Sequence, residues 1–210
     1  FIGFSADPEI EILRKRVIAE MLEPKVDEEK VTQLISTIRP DGTWAGIDYV
    51  DVSNTGFQHA RHLSNMVEMS RAFKKKSSKL KGDTKLKKAI YLALDYWLAN
   101  DFICQNWWHN QIGTPNALVT VLLVMDTDLT KDQITKALPM IGRANLTATG
   151  ARPSGDRIKI AGILAKTLLL NRDEAQFNEV IRVIEGEIKF SIERGMQYDY
   201  SFHHRVDRVN

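Results

Sequence analysis

The fold is organised around the stretch Gln105-Asn106-Trp107-Trp108-His109-Asn110-Gln111-Ile112-Gly113-Thr114-Pro115, which holds two of the four tryptophans of the chain. Successive side chains on a regular helix point about 100° apart, because the α-helix has 3.6 residues per turn. Both indoles can therefore face one ligand only where the backbone is irregular. Gly113 tolerates unusual backbone angles and Pro115 suits the first turn of a new helix. We predict a loop between two helices.

Polar groups on both sides of the two indoles suit a carbohydrate ligand. Indole rings offer apolar faces with a polar N–H, and amides bind hydroxyls and carboxylates. The candidate substrate-binding residues in this stretch are Asn106, Trp107, Trp108 and Gln111. The alternative is that both tryptophans lie in the core between helices, since Trp is highly buried on average.

The stretch resembles the N-W-W-x-x-E-I-G-x-P signature of the polysaccharide lyases that cleave chondroitin and hyaluronan, the hyaluronate lyase and chondroitin AC/ABC lyase group. Two other segments resemble the same group. They are Ile38-Arg39-Pro40-Asp41-Gly42-Thr43-Trp44, followed by Ile47-Asp48-Tyr49, and Gly195-Met196-Gln197-Tyr198-Asp199-Tyr200-Ser201-Phe202-His203-His204. The three matches follow the family's order over most of the chain. The chain departs from the signature at Gln111, which stands where the family usually has Glu and removes a charge.

Composition bounds the class of protein. A chain of 210 residues with 43% hydrophobic content can bury a real core, as one domain or part of a larger one. The net charge of +2 gives no general sign of a polyanion ligand. The basic run in residues 71–81 is interpreted as a solvated helix end, and no nucleic-acid partner is predicted. Cys104 is the only cysteine, which excludes an internal disulfide and a Cys-based metal site.

Apolar residues recur with helical spacing through most of the chain. The first three predicted helices run from about Pro8 to Leu22, from Asp27 to Ile38 and from Thr55 to Lys75. The fourth runs from Gly82-Asp83 to the tryptophan loop, the fifth begins at Thr114-Pro115, and the sixth runs from a Thr130-Lys131-Asp132-Gln133 capping box to near Gly142. The seventh includes Ile158 to Leu169, and the eighth follows Asn171-Arg172-Asp173-Glu174. No alternating strand pattern competes over a useful length. We predict an all-α fold of about eight helices in consecutive hairpins. The resemblance implies an incomplete (α/α) toroid whose loop end holds the cleft.

The segment from Asp41 to Asn54 is predicted to be irregular. Trp44 and Tyr49 in it are expected to line the same cleft as the tryptophan pair, and burial against neighbouring helices is the alternative. His59 and His62 lie one helical turn apart, a spacing that could supply two metal ligands. A core-facing stripe on that helix is the preferred interpretation, so no metal site is predicted.

The resemblance implies β-elimination of a uronic acid polymer. That reaction needs donors to neutralise the carboxylate, a base for the C5 proton and an acid for the departing oxygen. His203 and His204 both fall near the family's catalytic His, with His204 slightly favoured, and Arg205 is a further substrate-binding candidate. The alternative is that both histidines face solvent in a basic loop.

The family has a Gly-Ala-Asn segment whose Asn grips the uronate carboxylate. Here the matching Thr149-Gly150-Ala151 is followed by Arg152, and Asn145 supplies an amide a few residues earlier. Either residue could neutralise a carboxylate, Arg more strongly because its guanidinium can form a bidentate pair. Both therefore remain catalytic candidates.

The resemblance also implies expectations about domain boundaries, cofactors and cellular location. Residues 1–210 are expected to be part of one α/α-toroid catalytic domain, with the family's catalytic Tyr and following β-sheet domains beyond Asn210, so that these residues alone are catalytically incomplete. No cofactor is expected in this chain, and a calcium or magnesium site elsewhere in a full protein stays open. No apolar run approaches the roughly 20 residues that cross a bilayer. Secretion or a bacterial periplasm is implied, with an acidic polysaccharide as partner and an unknown oligomeric state.

Two other classes of protein remain as alternatives. A helical-toroid glycoside hydrolase would need two carboxylates across the cleft, for which Asp48, Asp51 and Asp199 are candidates. A non-catalytic carbohydrate-binding fragment would bind sugar without turnover. Elimination leaves an unsaturated uronate that absorbs ultraviolet light, whereas hydrolysis does not.

Overall fold

The structure is a computed structural model that describes residues 8–204, and eight α-helices form most of that range. They are α1 (Pro8–Met21), α2 (Glu28–Thr37), α3 (His59–Lys74), α4 (Thr84–Asn100), α5 (Thr114–Met125), α6 (Lys131–Ile141), α7 (Gly155–Asn171) and α8 (Glu174–Glu187). A π-helical turn, His109–Gly113, precedes α5, and a 3-10 turn, Asp126–Asp128, follows it. The predicted all-α class is confirmed.

The helices form two layers. In one layer α5 packs between α3 and α7, and in the other α4 packs between α2 and α6. Consecutive helices join the layers as the pairs α3–α4, α5–α6 and α7–α8, while α1 lies against α5 and α7. Side-by-side helical hairpins of this kind are consistent with a segment of an (α/α) toroid.

Local sequence signals explain where the helices begin. Asp27, Asp83 and Asp173 each accept a hydrogen bond from a backbone N–H in the first turn of the following helix. Thr130 and Gln133 form the predicted capping box, in which each side chain bonds the other residue's backbone N–H. These caps fix the ends of the helices that carry the core.

The core is centred on α5, which is buried along almost its whole length. Leu118, Leu122 and Met125 are fully buried there. Trp97 of α4 is buried against the same core. Because α5 follows the π-helical turn without a break, this core anchors the tryptophan stretch.

Two local predictions differ from the structure. Helix α3 begins at His59 rather than near Thr55, since a turn from Ser53 to Gly56 occupies the preceding residues, with the Gly56 N–H donating to the Ser53 carbonyl at 3.4 Å. The C-terminal part contains an antiparallel pair, β1 (Gly195–Met196) and β2 (Phe202–His203). Strands of two residues are too short to produce a visible alternating pattern.

Candidate functional site

The two adjacent tryptophans lie on helical backbone, so the predicted loop is wrong. Trp107 and Trp108 form a helical turn that leads directly into the π-helical turn and α5. Asn106 begins this turn, because its side-chain oxygen accepts the N–H of Trp108 at 3.1 Å. Gly113 therefore has an ordinary helical φ of −60° rather than a loop conformation. The expected irregularity is present as the wider π-helical turn.

Hydrogen bonds from neighbouring segments hold the start of this helix. The Asn110 side chain accepts the Cys104 N–H at 2.8 Å and donates to the Cys104 carbonyl at 2.7 Å. The N–H of Gln105 donates to the carbonyl of Val52 at 2.8 Å. The tryptophan turn is thus fixed both to its own approach segment and to the loop that precedes α3.

The two indoles have different surroundings. Trp107 is half-buried, with the Arg152 guanidinium carbon 4.7 Å from its ring centroid and Gly150 so close that a Cβ there would lie 2.2 Å from Cζ3. Trp108 is 39% exposed, with His109 standing edge-on at 5.3 Å. Trp108 is therefore the more exposed of the two indoles, and Trp107 is the one packed against Gly150 and Arg152.

Gln111 ties the π-helical turn to the segment before α7. Its side-chain oxygen accepts the Gly150 N–H at 2.7 Å, and its nitrogen donates to the Thr149 hydroxyl at 3.1 Å. Both ends of the amide are thus used within the protein. Gln111, a predicted substrate-binding residue, thus also positions the segment that carries Arg152.

A buried carboxylate, Asp156, joins Arg152 to His204. One of its oxygens accepts from Arg152 Nε and Nη2 at 3.2 and 2.6 Å, and the other lies 3.3 Å from His204 Nε2. Its side chain is only 5% exposed. Sequence reasoning missed Asp156, whose one visible signal is an acidic residue in the first turn of α7, four residues after Arg152.

The two candidate histidines separate in the structure. His203 lies exposed on β2, and its carbonyl accepts from the Ser154 hydroxyl at 3.1 Å. His204 packs against Gly155, where a Cβ would lie 2.6 Å from Nδ1. That nitrogen is buried without a hydrogen-bond partner among the described residues. Only His204 therefore joins the group around Trp107.

Asn145 and Arg152 also differ in their surroundings. The Asn145 amide nitrogen donates to the Gly142 carbonyl at 3.1 Å, and its oxygen accepts from the backbone and hydroxyl of Thr147 at 3.1 and 2.6 Å. Asn145 thus stabilises its own turn. Arg152 lies beside Trp107 with its side chain 46% exposed.

The expectation that Trp44 lines the cleft is wrong. Its indole is 3% exposed, donates from Nε1 to the Leu34 carbonyl at 3.1 Å, and meets the His62 ring edge-on at 5.0 Å. Tyr49 lies against the same histidine, and burial raises the pKa of its phenol to about 12. Arg205, the remaining substrate-binding candidate, lies outside the described residues.

His59 and His62 are buried and hydrogen-bonded to the protein. Their Nε2 atoms lie 3.0 Å from the Tyr49 carbonyl and 2.9 Å from the Ala93 carbonyl. Burial lowers the pKa of both imidazoles, that of His62 to about 4. Within residues 8–204, no group of three His, Cys, Asp or Glu side chains is placed to hold a metal ion.

The three carboxylates considered for a hydrolase each close a local turn. Asp48, Asp51 and Asp199 accept the backbone N–H two residues further on, at 2.8, 2.9 and 3.0 Å. Hydrogen bonding to the following serine holds the pKa of Asp51 and Asp199 below the usual value. A hydrolase acid needs a raised pKa, so Asp51 and Asp199 do not suit that role.

Comparison with known proteins supports one family. Residues 16–207 match the sequence profile of the polysaccharide lyase family 8, N-terminal α-helical domain. The chain is similar to chondroitinase-AC of Pedobacter heparinus, with 30% identity over 196 residues that cover 91% of this chain and 28% of that protein.

Solved structures of polysaccharide lyases are also similar to this chain. A chondroitinase AC lyase studied as enzyme–oligosaccharide complexes is 31% identical, with a TM-score of 0.79 over 92% of this chain and 29% of its own. A Paenibacillus xanthan lyase is 25% identical, with a TM-score of 0.73 over 95% of this chain and 21% of its own. The chain thus spans less than a third of the length of these relatives.

Proposed function

This chain belongs to polysaccharide lyase family 8, and from that membership we propose that it is the helical part of an enzyme that cleaves acidic polysaccharides by β-elimination. The substrates proposed first are glycosaminoglycans of the chondroitin, dermatan sulfate and hyaluronan type, since the curated relative is a chondroitinase. The observation that carries the proposal is the contact chain from Trp107 through Arg152 and Asp156 to His204, next to the more exposed Trp108.

Elimination requires that the uronate carboxylate be neutralised so that the C5 proton becomes acidic. Arg152 is our candidate for this role, because its guanidinium is partly exposed and its Nη1 has no partner among the described residues. Asp156 holds the other edge of the guanidinium, which keeps the group in one orientation. A preset cation costs little reorganisation when charge develops on the substrate.

His204 is our candidate for the base. Its Nε2 edge faces the Asp156 carboxylate, while Nδ1 is buried against Gly155. Because Nε2 donates to the Asp156 carboxylate, the C5 proton would be taken by Nδ1, which the substrate reaches only when the ring moves away from Gly155. Asp156 would then stabilise the imidazolium that forms. Trp108 would support the sugar ring by stacking, since it is the more exposed indole of the pair.

The proposal is tested by the ultraviolet absorbance of the unsaturated product. A protein that contains this chain is mixed with chondroitin sulfate, hyaluronan or xanthan. We expect Arg152→Met to lower the elimination rate by about 10²- to 10³-fold, and Trp108→Ala to raise KM while Trp108→Phe keeps most of the binding. Absence of unsaturated product from all three polymers would contradict the proposal.

We also propose that the enzyme acts outside the cytoplasm, secreted or in the periplasm, where polymers too large to enter a cell are met. Within residues 8–204, none of the helices has the length and apolar character to cross a bilayer. Fractionation of the source cells, followed by detection of the protein, tests this location.

A further inference from the structure

A groove of about 450 Å³ runs between α5 and α7, with Trp108 forming part of its wall. Asn116 of α5 and Lys159, Gly162 and Lys166 of α7 contribute to its lining, together with isoleucines from both segments. The groove therefore begins at the more exposed indole of the tryptophan pair.

The groove continues along α7 from the end of the helix that carries Asp156. Lys159, Gly162 and Lys166 are spaced by three and then four residues, so they share one side of the helix. Asp156, three residues before Lys159, is buried and does not line the groove. At Gly162 no atom lies within 4 Å of where a Cβ would be, so the groove is open there.

The charges in this groove are all of one sign. No carboxylate is among its lining residues, and neither Lys159 nor Lys166 forms an ion pair with a described residue. Lys166 is partly buried and donates only to the neutral side-chain oxygen of Asn116, at 2.9 Å. Burial lowers the pKa of this lysine. A partly buried ammonium without a counter-ion is costly, and a bound anion would remove that cost.

We propose that the groove binds the anionic group, a carboxylate or a sulfate ester, of an acidic sugar unit that lies against Trp108, with Lys166 and Lys159 as its cationic ligands. The assignment rests on the proposed function, since it extends the same polysaccharide-binding surface along α7. It adds residues that the sequence motifs do not contain, because neither lysine belongs to the tryptophan stretch or to the segments around Arg152 and His204.

The test is the binding of defined oligosaccharides to this chain, measured by calorimetry and tryptophan fluorescence. The probes are unsulfated chondroitin oligosaccharide, its sulfated forms, and the unsulfated form with its carboxyl groups reduced to alcohols. Lys159→Gln and Lys166→Gln are each expected to raise Kd for the acidic probes about tenfold, the usual effect of losing a charge-assisted hydrogen bond. Kd for the reduced, neutral probe should not change.

The matched control is Lys136→Gln, which removes the same charge from an exposed lysine of α6 that pairs with Asp132. Gly162→Leu fills the groove without changing its charge and should also weaken binding of the acidic probes. A loss confined to sulfated probes identifies sulfate as the ligand, and a loss with the unsulfated acidic probe identifies the carboxylate. Equal Kd values for wild type, Lys166→Gln and Gly162→Leu, or an equal loss with Lys136→Gln, would overturn the assignment.

Binding and turnover separate this inference from the proposed function. If acidic probes bind in a lysine-dependent way but no polymer is eliminated, the proposed function fails and the groove stands. If elimination proceeds while both lysine variants keep the wild-type Kd and KM, the groove assignment fails and the proposed function stands.

Discussion

Acidification is expected to destabilise the fold through one buried histidine, His62. Its ring is completely buried and lies between two hydrogen-bond partners, the Ala93 carbonyl at 2.9 Å and the Tyr49 hydroxyl at 3.0 Å. Nε2 donates to the carbonyl, and in the neutral ring Nδ1 accepts from the hydroxyl. Burial therefore lowers the pKa of His62 to about 4, from an ordinary value of 6.5.

The sign and size of the effect follow from proton linkage. The unfolded chain binds a proton at His62 more readily than the folded chain, so stability is greatest above pH 6.5 and falls as the pH drops towards 4. The difference in the pKa of His62 between the unfolded and folded chain corresponds to about 3 kcal/mol in the free energy of unfolding, of which about 2 kcal/mol is lost by pH 5. Small domains are typically stable by roughly 5–15 kcal/mol, so this loss is large enough to measure.

The assay is urea unfolding followed by tryptophan fluorescence at several pH values between 7 and 4.5. His59 and His109 also have pKa values lowered by burial, so the wild type alone does not isolate His62. The variant His62→Gln keeps a nitrogen that can donate to Ala93 but cannot titrate. We expect its free energy of unfolding to fall less steeply with pH than that of wild type. Equal slopes would refute the argument.

Three other variants test the site and the core. In Gly155→Ala the new Cβ would lie 2.6 Å from His204 Nδ1 and displace the imidazole, so the elimination rate should fall roughly ten- to a hundredfold. Gly186→Ala, in open space on α8, should keep the full elimination rate and raise the free energy of unfolding by about 0.5–1 kcal/mol. Equal elimination rates in the Gly155 and Gly186 variants would contradict the role of His204. Trp44→Phe removes the hydrogen bond to the Leu34 carbonyl, so the free energy of unfolding measured in urea should fall by about 1 kcal/mol or more. Weaker sugar binding at an unchanged free energy of unfolding would contradict the place of Trp44 in the core.

The helical framework could be predicted because its signals are local. Asp27 and the Thr130–Gln133 pair act on backbone groups within one turn, so their caps are visible in the sequence. The inward faces of α5 and α7 follow in the same way from helical periodicity. An interaction between residues three or four positions apart in the sequence can be recognised from the sequence alone.

The candidate site could be predicted only in part, because its contacts join distant segments. Asp156 meets His204 across 48 positions of the chain, and no motif spacing announces that pairing. Trp44 has the same side chain as Trp108, yet one is buried and the other open, since burial depends on the tertiary packing of α2 and α3. The sequence could suggest which types of residue bind sugar, but not which individual residues are exposed to a sugar ligand.

The central claim is that the polymer is cleaved by elimination, and the mass of the product tests it most directly. A protein that contains this chain is incubated with chondroitin oligosaccharide in heavy-oxygen water, and the fragments are weighed by mass spectrometry. Elimination adds no water, so we predict an unsaturated uronate at the new non-reducing end and no heavy oxygen gained in cleaving the bond. A saturated product that carries heavy oxygen from the cleavage step would show hydrolysis and contradict the account.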